Sequence, residues 1–245
     1  LRKVSLIVAA LAAMLSLTAV AVAGTNVYGV SGKIASGGSK KKPKPVGVQF
    51  GYTIKADDGT LSNPVKTYKI HFQGLVGSPK YAAGGKYCSA SKINAAASDS
   101  GCPKGTKVGT GLVKAFVGAA GQAIDPGAKC DLQLDIYAGS AKSLALYLHN
   151  DPPACIASIS QAIDAKLSTD ATGGALTFSV PPTLLHPVAG LDSGITSVTS
   201  TIKKIGKGTK GLFVSKGCKG TRKVDVTFTD EAGGNQTVSA SAGKC

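Results

Sequence analysis

From Val46 the chain settles into a regular alternation. Val46, Val48, Phe50, Tyr52 and Ile54 are apolar, while Gly47, Gln49, Gly51, Thr53 and Lys55 between them are small or polar. A period of two puts one set on a buried face and the other on a wet one, which predicts a half-buried strand. Asp57-Asp58-Gly59 then supplies a turn. The alternation returns at Tyr68, Ile70 and Phe72, at Leu132, Leu134 and Ile136, and at Leu144, Leu146 and Leu148. It recurs at Leu176, Phe178 and Val180, at Val224, Val226 and Phe228, and at Val238, Ala240 and Ala242. Gly139-Ser140, Gly173-Gly174 and Gly233-Gly234 punctuate these runs as turns.

Two segments read both ways. Cys155 to Ser168 places Ile156, Ile159, Ile163 and Leu167 at helical spacing, but Ile159, Ile163, Ala165 and Leu167 also fit a strand interrupted by Gln161. The strand is preferred, because it closes a hairpin with Leu176–Val180. Ile195 to Ile202, rich in Ser and Thr, stays ambiguous. One helical turn stands out: Ser89 is positioned to cap a run through Ala97 that contains Ile93. Many short alternating strands between Gly, Pro and Asp turns predict an all-β fold, a β-sandwich of antiparallel strands with one short helical turn. Residues 46–245 form this domain, and a boundary near 120–130 would divide it into two subdomains.

The N-terminus changes the setting. Arg2 and Lys3 precede an almost wholly apolar run from Val4 to Ala23 that ends in the small-x-small tripeptide Ala21-Val22-Ala23. This is the pattern of a secretory signal peptide over residues 1–23, and an uncleaved anchor is the alternative. Residues 24–45 read as a basic flexible linker, because Ser31 to Pro45 is rich in Gly, Ser, Lys and Pro and includes Lys40-Lys41-Lys42-Pro43-Lys44. The six cysteines all follow the signal segment. An even number in an exported chain predicts three disulfides. Cys218 and Cys245 flank the last hairpin, Cys130 and Cys155 flank the Asp131–His149 hairpin, and Cys88 and Cys102 enclose the helical turn. Nearest-neighbour pairing follows.

The formal net charge is +15, with 28 Lys and Arg against 13 Asp and Glu. Nearly all the cations are lysine. Such a surface attracts polyanions diffusely and lacks the planar forks that read bases or phosphates bidentately. Specific nucleic-acid recognition is therefore not expected. No acidic residue lies between Asp192 and Asp225, an interval that holds Lys203, Lys204, Lys207, Lys210, Lys216, Lys219, Arg222 and Lys223. These eight residues are the candidate polyanion-binding set.

Catalytic signals are weak. His71, His149 and His186 are the three histidines, and no Gly-x-Ser-x-Gly elbow supplies a nucleophile for them. Ser89-Ala90-Ser91-Lys92 matches Ser-x-x-Lys without its companion motifs. Asp57-Asp58-Gly59-Thr60 lacks calcium-loop spacing, and no Cys-x-x-Cys or paired His/Cys spacing points to redox chemistry or zinc. No catalytic residue, metal or cofactor is assigned.

The stretch Lys41-Lys42-Pro43-Lys44-Pro45-Val46, Tyr52, Leu75-Val76-Gly77-Ser78-Pro79 and Cys88…Cys102-Pro103-Lys104-Gly105-Thr106-Lys107-Val108-Gly109-Thr110-Gly111 carries a resemblance. It is similar to a set of uncharacterised secreted actinobacterial proteins with a Cys…Cys-Pro-x-Gly-Ser/Thr-x-Val-Gly-x-Gly signature. Phe178-Ser179-Val180-Pro181 and the Cys218…Cys245 hairpin extend it. The resemblance implies export and β-structure, and no activity, cofactor or catalytic residue. The expectation is thus a secreted or cell-wall-associated, non-enzymatic protein with weak electrostatic binding to anionic envelope polymers or polysaccharide. A glycan-binding module is the first alternative, although the chain has no Trp, and clustered exposed Tyr137 and Tyr147 would favour it. A secreted hydrolase is the second, and it requires a histidine beside a serine and an aspartate in a cleft.

Overall fold

A computed structural model describes residues 24–245. The signal-peptide reading of residues 1–23 lies outside the described residues. No helix of the described residues is long and apolar enough to cross a membrane.

Eleven strands form one antiparallel sheet. They are β1 (Asn26–Ile34), β2 (Val48–Ala56), β3 (Val65–Gln73), β4 (Lys107–Gly118), β5 (Lys129–Ala138), β6 (Ser143–Asn150), β7 (Ile159–Thr169), β8 (Gly173–Ser179), β9 (Asp192–Ile202), β10 (Thr221–Asp230) and β11 (Asn235–Lys244). Their order across the sheet is β1-β2-β9-β4-β5-β6-β7-β8-β3-β10-β11. The sheet curls until it is nearly a closed barrel. Phe50 of β2 and Phe72 of β3 meet across the interior edge to face at 5.9 Å, and Tyr52 lies 5.3 Å from Tyr68. The apolar positions of every alternating run point into this space, so Tyr68, Val224, Val226 and Phe228 are fully buried and form the core that drives closure.

The ends of the strand order, β1 and β11, lie side by side without a ladder between them. Packing closes this seam: a Cβ added at Gly32 would come within 3.1 Å of Ala242 Cβ and 3.3 Å of Val224 Cγ2.

The all-β antiparallel expectation holds, as do all three disulfides, Cys88–Cys102, Cys130–Cys155 and Cys218–Cys245. Ser89 caps α1 (Ala90–Ala96), its hydroxyl accepting from the Lys92 amide at 3.2 Å. This helix covers the outer face of β5, β6 and β7, where Ile93 packs with Tyr137, Ala145, Tyr147 and Ala162 as a second small core. A one-turn helix, α2 (Pro182–Leu185), follows β8.

Two expectations need correction. Residues 24–45 are not a flexible lead, because Asn26–Ile34 pairs in register with Val48–Ala56 from Asn26↔Ala56 to Ile34↔Val48. Tyr28 anchors β1 by stacking on Phe228 at 4.2 Å. The stretch near 120–130 is no subdomain boundary, since β4 and β5 on either side of it pair from Lys107↔Tyr137 to Phe116↔Lys129. β4 itself was not expected from the pattern, although Val113, Ala115 and Val117 alternate and are buried.

Candidate functional site

The candidate polyanion-binding residues gather at one end of the barrel, where a small second sheet closes it. Phe213–Ser215 is its central strand, paired with Lys44–Pro45 on one side and Leu75–Gly77 on the other. Leu75 and Leu212 are fully buried beneath it, and Phe213 packs against Phe72 at 6.1 Å. Pairing through Lys44–Pro45 carries the first lysine cluster onto the second. The Val46 amide donates to Phe213 O at 2.9 Å, and a Cβ added at Gly47 would come within 3.3 Å of the Lys204 amide nitrogen. Gly38 touches the 213–217 strap so closely that a Cβ there would lie 2.2 Å from Ser215 O, and its φ is +85°, so only glycine fits.

Lys40, Lys41, Lys42 and Lys44 are exposed, as are Lys203, Lys204, Lys207, Lys210, Lys216, Lys219 and Lys223. The turn bearing the first group is held by the Ser39 hydroxyl, which accepts from the Lys42 amide at 3.0 Å. Lys207 and Lys210 face each other on a two-residue ladder. Among the described residues, none of these lysines has a carboxylate within ion-pair distance. A shallow groove between Lys40, Lys216 and Gly217 on one side and Asp170 and Thr172 on the other carries one acidic group. Asp170 stays ionised far into acid, because the hydroxyl and amide of Thr172 and the amide of Gly173 all donate to it and His71 lies nearby.

Arg222 does not belong to the set. It is fully buried, since it takes the inward parity of Val224, Val226 and Phe228 on β10. Its Nη2 donates to Ser215 Oγ at 2.8 Å, while Nε and Nη1 have no hydrogen-bond partner among the described residues. Burial pulls its pKa down. It supports the floor of the basic end and contributes no accessible charge.

The histidines sit apart from one another. His71 lies between Asp170 at 3.5 Å and Asp225 at 3.6 Å. Its nearest hydroxyl is Thr172 Oγ1, at 3.1 Å from Nε2, which donates to Asp170 at 2.6 Å and so has no proton left for the imidazole. His149 stacks on Tyr147 and lies 3.5 Å from Asp135, which also holds Lys107 at 2.6 Å. His186 bridges Asp192 at 2.9 Å and Glu231 at 3.1 Å. None of these places a histidine between a serine and an aspartate. Tyr137 and Tyr147 are buried under α1, so they form no exposed stacking platform. Burial, with Asp99 beside its hydroxyl, pushes the Tyr137 pKa up. The Asp57-Asp58-Gly59-Thr60 segment is a turn in which Asp58 accepts from the amide and hydroxyl of Thr60.

The joining of Lys40–Lys44 to Lys203–Lys219 is the feature that sequence spacing did not reveal, because only strand pairing in the small sheet brings them together. Comparison of the chain with protein-family models, curated proteins and solved structures returns no match.

Proposed function

We propose that this is a secreted or envelope-associated, non-enzymatic β-domain protein whose lysine-rich end binds anionic surface polymers by diffuse electrostatics. The observation that supports the reading is the convergence of two remote lysine clusters on one end, without carboxylate partners among the described residues. Exposed ammonium groups on flexible stems neutralise a polymer without demanding one geometry. Their attraction is screened within about 8 Å at physiological salt, so binding is tight only where many act together. Three disulfides fit an oxidising, extracellular compartment.

The test is retention of the residue 24–245 protein on an anionic polymer across a salt series. Retention should fall steeply with salt. It should also collapse when Lys203, Lys204, Lys207, Lys210, Lys216, Lys219 and Lys223 become Ser. Unchanged retention in that variant would remove this end as the binding surface, and retention that resists high salt would favour a shaped glycan site.

A further inference from the structure

At the end opposite the lysines, the wall of the barrel parts between β7 and β8. β7 and β8 pair only from Lys166↔Thr177 to Thr169↔Gly174. Beyond Lys166, the first half of β7 stays with β6, from Ile159↔Asn150 to Ala165↔Leu144. The last residues of β8, Phe178 and Ser179, stay with β3 opposite Tyr68 and Thr67. The two strands therefore splay. An open pocket of about 550 Å³ fills the splay, lined by Gln161, Ile163, Phe178, Ser179 and Pro181, with Asp164 and Lys166 among its margins.

Behind it, inside the barrel, is an apolar cavity of about 90 Å³. Ile163 and Phe178 line this cavity as well, together with Leu148, Val180 and Ile195. The outer pocket and the inner cavity thus share a wall of two side chains. Phe178, Val180, Leu148 and Ile195 are only partly buried, so the mouth is apolar and unsealed. Packed interiors leave few voids larger than a water molecule, and an apolar void of this kind stays dry.

The parting is built into the fold. The backbone groups of Ala162, on the open margin of β7, are taken by a side chain from α1: Asn94 Oδ1 accepts from the Ala162 amide at 2.6 Å, and Asn94 Nδ2 donates to its carbonyl at 2.9 Å. Ser160 Oγ donates to Ala97 O at 2.7 Å and ties the same margin to the helix end. β7 is held open by α1 where a neighbouring strand would otherwise close it.

We infer that the splay between β7 and β8 is the mouth of a binding site for a single aliphatic chain with a small uncharged polar head. The volumes divide the ligand. The inner cavity accommodates about three groups of the size of water, near 30 Å³ each, which is the end of an alkyl chain. The outer pocket falls within the usual range for small-molecule sites of about 300–1,000 Å³ and takes the rest. Asp164 and Lys166 are exposed on the rim with opposite charges, so neither an anionic nor a cationic head is favoured, and Gln161 and Ser179 offer hydrogen bonds to a hydroxyl or ester.

The experiment is a titration of the folded protein with monolauroylglycerol below its aggregation limit, followed by native mass spectrometry. This neutral probe gains nothing from the lysine end, so the result stands apart from polymer binding. Wild type should take up one equivalent saturably. Val180→Trp, filling the inner cavity, and Gln161→Trp, filling the outer pocket, each from a partly buried position, should weaken uptake by about tenfold or more while the far-ultraviolet circular dichroism stays that of the parent. Should one variant fail to fold, the other carries the comparison. Absence of saturable uptake by wild type, or equal uptake by a folded tryptophan variant, would overturn the site.

Discussion

Asn94 stands in for a strand at Ala162: one side-chain amide accepts from its N–H and donates to its C=O, as a neighbouring residue in a ladder does. The contact joins α1 to the sheet margin and satisfies two backbone groups that splaying leaves without a strand partner.

Asn94→Ala should therefore destabilise the protein by about 1–3 kcal/mol, the cost of leaving partly buried backbone groups unpaired. Urea unfolding should show a lower midpoint with an unchanged slope. Asn94→Asp keeps the acceptor but loses the donor, and it should recover part of the loss at most.

The lysines of the lead segment should matter as much as the later ones. Replacing Lys40, Lys41, Lys42 and Lys44 with Ser should reduce polyanion retention and flatten its salt dependence. By analogy with nucleic-acid binding, each lost contact lowers the slope of log K against log salt by roughly 0.7–0.9. Retention measured across a salt series checks this, and an unaltered slope would separate the two clusters.

Arg222→Met should leave polymer retention unchanged, because the guanidinium is sealed inside. It should be neutral or raise stability by about 1–3 kcal/mol, since an apolar side chain of similar length removes an unpaired buried charge. Ser215 remains satisfied through Gly37 O and the Gly217 amide. Arg222→Ala, by contrast, should destabilise by opening a cavity. Guanidinium chloride unfolding distinguishes the two.

His186 links the start of β9 to the β10–β11 turn through Asp192 and Glu231. The hydrogen bond that His186 donates to Asp192, with the charge of Glu231 beyond it, raises the His186 pKa above its ordinary value. A raised folded-state pKa stabilises when the ring is charged. The contribution is present in full below about pH 6.5 and disappears as pH rises through the higher folded-state value. His186→Gln should lose that pH-dependent increment, read as a smaller drop in melting temperature between mildly acidic and mildly alkaline buffer.

Removing the Cys218–Cys245 bridge, as Cys218→Ser with Cys245→Ser, should cost about 3–4 kcal/mol by the chain-entropy argument, given a separation of 27 residues. The native protein should show no reactive thiol until reduced, since all six cysteines are paired.

Much of the fold was legible because antiparallel strands facing one core repeat their chemistry every second residue. The hairpin bases likewise placed the cysteines in pairs. β1 escaped notice because its inward positions include Asn26, buried through hydrogen bonds with Asn63, and Gly32 at the seam. β4 was obscured by Gly109 and Gly111, whose added Cβ atoms would meet Thr201 O and Thr199 O at 2.6 and 2.2 Å. Arg222 could have been placed inside by parity with Val224, Val226 and Phe228, but its charge and lysine neighbours argued for the surface. The basic end was half visible, because no periodicity links Lys44 to Ser215, and the β7–β8 mouth was invisible, because splaying leaves no mark on alternation.

The seam between β1 and β11 has a consequence for the protein's behaviour in a crowd. An outermost strand normally displays a row of bare amides and carbonyls that can recruit an extended polypeptide. Here the first and last strands stand flank to flank, each shielding the other's row, and the smallness of Gly32 and Ala242 is what lets them stand so close. The two outermost strands of the main sheet thereby cover one another, and strand addition at that seam is disfavoured.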